Sequence, residues 1–259
     1  MQQPLKLGVA IVLGVVGLAA GPFAQQAPAG RGAVPAGQGA GPGPGRGVGP
    51  APIRPPLFIG ESWKQPPYTG ELTDTARRLT QDAVTSPNVT LTVYGACKNS
   101  PLGVLVYGSP NDFFFPMNLW TGVCEAPVAI TLRDTNNFVD LSDLPSRFRW
   151  KLRTGHLHIV HPVLKLADGT LIVGDYGSTT TAAPGQFEPD MMDFEFPVGP
   201  IKWYRLDPEK VVVSRLVEKP DLTKVDEIGW ADLMPGGGHG PAGWHNMGRI
   251  EVYGKPVKR

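Results

Sequence analysis

Stretches in which apolar and polar residues alternate dominate the chain beyond residue 56. The clearest is Arg147–Arg153, where Phe148, Trp150 and Leu152 fall on one side of an extended strand and four cations fall on the other. This pattern predicts a strand with one buried side and one solvent-facing side. The further predicted strands are Val89–Tyr94, Leu102–Tyr107, Ala129–Arg133, Ile159–Leu166, Thr170–Val173, Asp193–Phe196, Ile201–Leu206, Val211–Leu216, Asp226–Ala231 and Ile250–Tyr253.

Turn-forming residues separate these segments and favour antiparallel hairpins. The Asp168-Gly169 pair between two apolar runs predicts one such hairpin. Only Asp74–Val84 has a helical pattern, which Thr73 or Asp74 would cap. About ten short strands and one short helix predict an all-β fold, an antiparallel β-sandwich of the jelly-roll type.

The first residues of the chain have a different pattern. Met1–Lys6 contains one cation, Leu7–Ala20 is apolar or small throughout, and small residues follow. This order is typical of a secretory signal peptide, and the apolar run is shorter than the ~20 residues of a membrane-spanning helix. We therefore expect a signal peptide over residues 1–24, a secreted, periplasmic or cell-envelope location, and no membrane span after cleavage. An uncleaved N-terminal anchor is the alternative.

A Gly- and Pro-rich segment follows the predicted signal peptide. Gln25–Pro56 contains 17 Gly or Pro among 32 residues and few large apolar side chains. Because such a segment cannot bury enough surface to offset its chain entropy, it is predicted to be a disordered linker. The β-sandwich domain is then expected to occupy residues 57–259.

Charge and cysteine content narrow the function classes. The formal net charge is +1, but residues 57–259 hold 20 Lys and Arg against 23 Asp and Glu, a formal charge of −3. A mildly acidic domain excludes a nucleic-acid binder, which needs a concentrated cationic surface. Cys97 and Cys124 are the only cysteines. In an oxidising compartment we expect a disulfide between them, and two buried free thiols are the alternative.

Three segments resemble a known class of β-sandwich. Asn137–Leu152 reads NFVDLSDLPSRFRWKL, Val163–Thr170 reads VLKLADGT, and Lys224–Gly254 contains KVDEIGWADL and IEVYG. They are similar to the crossing strand, the central hairpin and the closing strands of galactose-binding-like jelly rolls, over roughly residues 125–255. The resemblance implies a module that binds sugar or polysaccharide, as in carbohydrate-binding modules of secreted bacterial proteins. It also implies a structural Ca²⁺, for which Glu61, Asp226 and Glu251 are the candidate ligands.

Sugar chemistry selects the candidate contact residues. A sugar ring has an apolar face and a rim of hydroxyls, so its site needs an aromatic plane and short polar side chains. One polar loop leads to Trp120, and a Gly-rich loop leads to Trp244. The alternative role for both tryptophans is to close the ends of the sandwich. The predicted contacts are Trp120, His158, Asp175, His239 and Trp244.

Histidines allow a second interpretation of the same region. His156 and His158 would share one face of a strand, and neutral imidazoles suit Zn, Cu, Fe or Ni. His239 or His245 could complete such a site, although solvated or hydrogen-bonded histidines explain the pattern equally. The sequence therefore leaves the metal content unknown.

Acidic residues provide an alternative function. The segment EPDMMDFE, residues 188–195, resembles the E-x-D-x-x-E strand of family-16-type retaining glycosidases, where two carboxylates flank the scissile bond. It departs from that pattern because an Asp occupies the third acidic position and a Pro lies within the strand. The alternative to non-catalytic carbohydrate binding is thus a glycan-cleaving enzyme, and a domain that binds only protein partners is a third possibility. The candidate acids are Glu188, Asp190, Asp193 and Glu195.

The cationic face of Arg147–Arg153 is expected to pair with acids of neighbouring strands. A surface for acidic polysaccharides is the alternative interpretation of this face.

Overall fold

The computed structural model describes residues 55–67, 76–100, 103–110, 112, 116–155, 157–186, 189–236 and 243–259. Within these residues the chain forms sixteen strands and two 3-10 turns, Gln81–Ala83 and Ala96–Asn99. The strands are β1 (Leu57–Ser62), β2 (Ala76–Arg78), β3 (Val89–Tyr94), β4 (Leu105–Tyr107), β5 (Asn118–Trp120), β6 (Val128–Asp134), β7 (Asn137–Asp140), β8 (Arg147–Thr154), β9 (Val160–Leu166), β10 (Leu171–Gly174), β11 (Met192–Pro197), β12 (Trp203–Leu206), β13 (Val213–Val217), β14 (Val225–Asp232), β15 (His245–Tyr253) and β16 (Lys255–Lys258).

The strands form two sheets, in which all pairings between these named strands are antiparallel. The first sheet has the order β11-β8-β15-β5-β4-β2, and β1 pairs with the second half of β15. The second sheet has the order β13-β12-β10-β9-β14-β6-β3, with β7 and β16 attached beside β14. This arrangement confirms the predicted all-β sandwich.

Aromatic and aliphatic side chains from the inner faces of both sheets form the core. Trp150 and Phe148 of β8 stack around Phe196 of β11, and Trp230 of β14 lies 5.9 Å from the Trp63 ring. All of these side chains are buried. The alternation predicted for Arg147–Arg153 is therefore observed, since its apolar residues face the core and its cations face outward.

The helix expected over Asp74–Val84 is not observed within the described residues. Ala76–Arg78 is instead strand β2, which pairs with β4, and a single 3-10 turn follows at Gln81–Ala83. The apolar spacing that suggested a helix places Leu79 and Ala83 in the core from a strand and a turn. Pairing with β4 supplies the backbone hydrogen bonds that a helix would have made internally.

A disulfide joins Cys97 to Cys124, with Cα atoms 5.8 Å apart. Cys97 lies in the 3-10 turn after β3 of the second sheet, and Cys124 follows β5 of the first sheet. Both cysteines thus lie in connections that cross between the sheets, β3–β4 and β5–β6, and the bond joins these two connections. Among the described residues, no helix is long and apolar enough to cross a membrane.

Candidate functional site

Trp120 lies on the outer face of the first sheet. It is the last residue of β5 and pairs with Asn246 of β15, which in turn pairs with Arg153 of β8. Paired residues of antiparallel strands point to the same side, so the aromatic, amide and guanidinium groups form one row across three strands. Glycine at position 122 makes the ring position possible, because a Cβ there would lie 2.2 Å from a Trp120 ring atom.

Three further side chains complete an aromatic–amide patch around Trp120, which we define as Tyr107, Asn118, Trp120 and Asn246. The Tyr107 and Trp120 ring centroids are 6.3 Å apart, and both rings are half-buried. The Asn246 side-chain NH₂ donates to Asn118 Oδ1 at 2.5 Å, and the Asn118 NH₂ donates to the Pro116 carbonyl at 2.8 Å. The two amides are buried and fixed by each other, while the rings retain exposed surface.

Trp244 faces the same side of the sheet but is buried, with only 3% of its surface exposed. The Arg153 guanidinium carbon lies 5.2 Å from the ring centroid, within cation–π range. A Cβ at Gly155 would lie 2.9 Å from the indole, so the ring packs directly against that backbone. Trp120 and Trp244 thus share a face of the sheet, and Trp120 is the tryptophan with a ring exposed to solvent.

His158 lies on the inner side of the first sheet, in the interior between the two sheets. Its Nδ1 is 2.6 Å from Asp232 Oδ2, and Nδ1 of His245 is 2.8 Å from the same oxygen. All three side chains are buried, and we call them the histidine–aspartate network. The network connects the loop before β9 with the end of β14 and the start of β15. Because a fully buried side chain has no surface to offer, His158 occupies a structural position in this arrangement.

The hydrogen bonds of the network determine its protonation. Trp230 Nε1 donates to His245 Nε2 at 3.0 Å, and an indole N–H is only a donor. His245 therefore accepts at Nε2 and directs Nδ1 to Asp232. Burial alone would raise the pKa of Asp232, but the hydrogen bonds from His158 and His245 together lower it to about 2. The network thus holds a buried carboxylate that accepts from two imidazoles.

Asp175 lies apart from both groups. It is exposed after β10, and its Oδ1 accepts a hydrogen bond from the Lys202 backbone N–H at 2.9 Å. His239 and His156 lie outside the described residues. Of the five predicted contacts, the structure therefore brings Trp120 and Trp244 to one face, buries His158 between the sheets and leaves Asp175 exposed after β10.

Metal ligation was the second interpretation of the histidines. Within the part of the chain that the structure describes, no group of three or more His, Cys, Asp or Glu is arranged to hold a metal ion. The imidazoles of His158 and His245 both direct Nδ1 to Asp232, and His161 Nδ1 is 3.2 Å from the Gly174 carbonyl oxygen.

Of the three acids considered for Ca²⁺, Glu61 and Glu251 lie on the paired strands β1 and β15, Asp226 lies on β14 of the second sheet, and each is bound by protein groups. Glu61 accepts hydrogen bonds from Thr85, while Asp226 pairs with Arg133 at 2.9 Å and also with Arg259. Glu251 pairs with two arginines of the first sheet. The structural Ca²⁺ stays a prediction of the resemblance.

The candidate catalytic acids belong to a charged ladder on the outer face of the first sheet. Asp193 and Glu195 of edge strand β11 are about half exposed, at 48% and 54%. Glu195 pairs with Arg147 at 2.8 Å, and Asp193 lies 3.4 Å from Arg249. Both carboxylates lie on a sheet surface beside arginines. Asp190 is exposed before β11, and Glu188 lies outside the described residues. The predicted pairing of the cationic face with acids is thus observed for Arg147 and Arg149.

A separate polar cluster lies on the outer face of the second sheet. Buried Glu227 accepts from Tyr94 at 2.8 Å and from Lys165 at 2.7 Å. Burial, followed by the contact with Glu227, raises the pKa of Tyr94 to about 12. Thr131 also donates to this carboxylate. The cluster stabilises the middle of the sheet and is separated from His158 by the sheet itself.

Tyr107, Asn118 and Asn246 were not identified from the sequence. Asn118 and Asn246 each lie beside a predicted tryptophan or histidine in the sequence, but their strands were not predicted. Had β5 been recognised, alternation would have placed Asn118 beside Trp120, with Leu119 facing the core.

No protein-family model and no curated protein matches the sequence. Among solved structures, the chain is similar to a family 11 carbohydrate-binding module from Clostridium thermocellum in complex with a beta-1,3-1,4-mixed-linked tetrasaccharide. That match has 11% identity, a TM-score of 0.39, and coverage of 73% of this chain and 100% of the module. A second family 11 module from the same organism has 9% identity, a TM-score of 0.35, and coverage of 78% and 98%. The Emp47p carbohydrate recognition domain has 12% identity, a TM-score of 0.27, and coverage of 64% and 97%. Since these TM-scores are below 0.5, we derive the function from the residues of this chain.

Proposed function

We propose that this chain is an exported, non-catalytic carbohydrate-binding domain of the galactose-binding-like type, and that sugar binds at the aromatic–amide patch. The observation that carries the proposal is the half-buried Trp120 ring, held beside Tyr107 and in one row with Asn246. The ring planes suit the apolar face of a sugar, and the buried amides of Asn118 and Asn246 hold the strands beneath the rings in place.

The patch is fixed before a ligand arrives. Asn118 and Asn246 hydrogen-bond each other, and the Trp120 ring rests over Gly122. A ligand therefore loses little affinity to ordering of these side chains. This rigidity is what a small, shallow sugar site requires.

The non-catalytic part of the proposal rests on the acids of β11. Asp193 and Glu195 are paired with arginines on an outer sheet face. A retaining glycosidase needs one carboxylate free to attack and one with a raised pKa to donate a proton. In this chain both carboxylates are instead engaged by arginines on a solvent-facing sheet surface.

The proposed export has two supports. One is the apolar run Leu7–Ala20 behind a short cationic start. The other is the Cys97–Cys124 disulfide, since such bonds persist in oxidising compartments. N-terminal sequencing of the protein recovered from the medium or periplasm of an expressing cell tests this part, and cleavage close to residue 24 is the expected result.

The Trp120→Ala variant tests the site. Loss of a central aromatic contact should weaken retention on an affinity gel containing a bound polysaccharide by about tenfold or more. The matched control is Tyr204→Ala, which removes a half-buried aromatic from β12 of the second sheet. Retention unchanged in Trp120→Ala but reduced in Tyr204→Ala would place binding elsewhere and contradict the proposal.

A further inference from the structure

The outer face of the first sheet has a charge opposite to that of the domain. Residues 57–259 carry a formal charge of −3. On the outer sides of β8, β11 and β15, by contrast, five cations face three acids. The cations are Arg147, Arg149, Lys151, Arg153 and Arg249, and the acids are Asp193, Glu195 and Glu251.

The three arginines furthest from the patch share all three acids. Arg147 forms an ion pair with Glu195 at 2.8 Å. Arg149 lies 3.8 Å from Asp193 and 3.7 Å from Glu251, and Arg249 lies 3.4 Å from each of the same two acids. Each acid of the ladder therefore already has at least one arginine partner, and a further cation would have to share one of them.

Lys151 is that further cation. It pairs in register with Asp193 on one side and Arg249 on the other, yet its ammonium has no acid within 4.0 Å among the described residues. Its side chain is partly exposed. A solvent-facing ammonium attracts an anion, and the two neighbouring arginines offset the repulsion from Asp193 and Glu251.

Lys151 is also close to the aromatic–amide patch. It precedes Arg153 by two residues on β8, and Arg153 lies in one row with Asn246 and Trp120. The spacing between strands and between residues along a strand places Lys151 roughly 12 Å from Trp120 on the same face. An oligosaccharide on the Trp120 ring can therefore extend to Lys151.

We propose that the glycan bound at this face is anionic, with a carboxylate or sulfate group that pairs with Lys151. The inference rests on the proposed carbohydrate binding and names its ligand class. It also gives a function to Lys151, which has no acid within 4.0 Å among the described residues. Arg153, held against the Trp244 ring, lies between the sugar-stacking ring and this cation.

The test compares four polymers on the full chain by affinity electrophoresis: polygalacturonate, a sulfated galactan, a neutral mixed-linkage glucan and polyglutamate. We expect tighter retention by one or both anionic glycans than by the neutral glucan, and weaker retention as salt shortens the screening length. Lys151→Gln should weaken anionic-glycan binding by about threefold, and Lys151→Glu by about tenfold. The polymer affected shows whether carboxylate or sulfate is recognised.

Lys255→Gln is the matched control, since it removes an equal charge from exposed β16 of the second sheet and should leave retention unchanged. Retention of the neutral glucan at equal strength, with no effect of Lys151→Gln, would overturn the anionic ligand and leave the proposed function standing. Retention of polyglutamate as strong as that of the glycans, unaffected by Trp120→Ala, would overturn both. Retention of none of the polymers would also overturn both.

Discussion

His245 and Asn246 are neighbours in the sequence and belong to two regions with opposite properties. His245 points between the sheets, where it bonds Asp232 and Trp230 in the buried histidine–aspartate network. Asn246 points outward into the aromatic–amide patch. Polar residues that look like one cluster in the sequence are therefore divided by the sheet into a buried network and a surface patch.

The two regions are expected to contribute to different properties, the network to stability and the patch to ligand affinity. In the network, every hydrogen bond is made in a low dielectric, so loss of one partner leaves a buried polar group unsatisfied. In the patch, Trp120 and Tyr107 retain solvent contact, so their loss removes a binding surface more than it weakens the fold. Variants of the network should therefore affect stability, and variants of the patch should affect affinity.

The largest effect is expected from Asp232→Asn. The amide is a poorer acceptor for His158 and His245, and we expect a loss of about 3 kcal/mol in the free energy of unfolding measured in urea. Asp175→Asn is the control, because Asp175 is exposed and its variant should change stability by less than about 0.5 kcal/mol. Similar losses in both variants would show that the network has no special role.

The second-largest loss in the free energy of unfolding is expected at acid pH, where Asp232 of the network becomes protonated. The pKa of Asp232 falls from its ordinary 3.8 to about 2 on folding, so its contribution is complete above about pH 4 and is lost as the pH falls through 2. The shift corresponds to about 2 kcal/mol. Denaturant titrations at several pH values should show this loss for the wild type relative to Asp232→Asn, in which residue 232 no longer titrates. Parallel pH curves for the two proteins would contradict the assignment.

The Tyr107→Ala variant tests whether the patch contributes to affinity more than to stability. Trp120 loses the ring beside it, so glycan affinity should fall about threefold to fivefold. The melting temperature should change much less than in Asp232→Asn, because Tyr107 is half-buried. Titration calorimetry and thermal melts of the same preparation separate the two readouts. A variant that melts early but binds normally would assign Tyr107 to the fold.

The smallest effect is expected in the charged ladder. Glu195→Gln removes the partner of Arg147, yet Glu195 is 54% exposed. Exposed ion pairs contribute about 0.2–1 kcal/mol, and added salt reduces this further. Urea denaturation at low and high salt should show a small, salt-sensitive loss. A loss as large as that of Asp232→Asn would mean that the ladder supports the fold as strongly as the network does.

The alternation of side chains predicted most of the sandwich, and its failures have physical causes. Arg147–Arg153 was recognised because one face is apolar and the other cationic. β15 was recognised only from Ile250 onward, since a bulge at Gly248 shifts the register between Met247 and Arg249. A bulge breaks the period of two, and Met247 and Ile250 then both face the core. The half of β15 that was not predicted contains both His245 and Asn246, whose side chains point to opposite faces of the sheet.

The candidate site was predictable to a smaller extent. Trp120 could be selected by its chemistry, because aromatic rings near polar loops are common in sugar sites. Asn118 lies on a three-residue strand, which is too short for a periodic pattern to identify. The strand of Tyr107 was predicted, but nothing in the sequence indicated that it lies beside Trp120. Asp232 reaches the histidines only through the pairing of distant strands, and the sequence contains no local signal for that contact.

The disulfide between Cys97 and Cys124 makes the proposed binding surface depend on the redox conditions under which the protein folds. It attaches the segment after β5, which ends at Trp120, to the 3-10 turn that follows β3. A crosslink of this span contributes about 3 kcal/mol by restricting the unfolded chain. A copy that matures without an oxidant would thus lack the covalent anchor four residues from its proposed sugar-binding ring. The compartment in which the chain folds would then decide how firmly that ring is held.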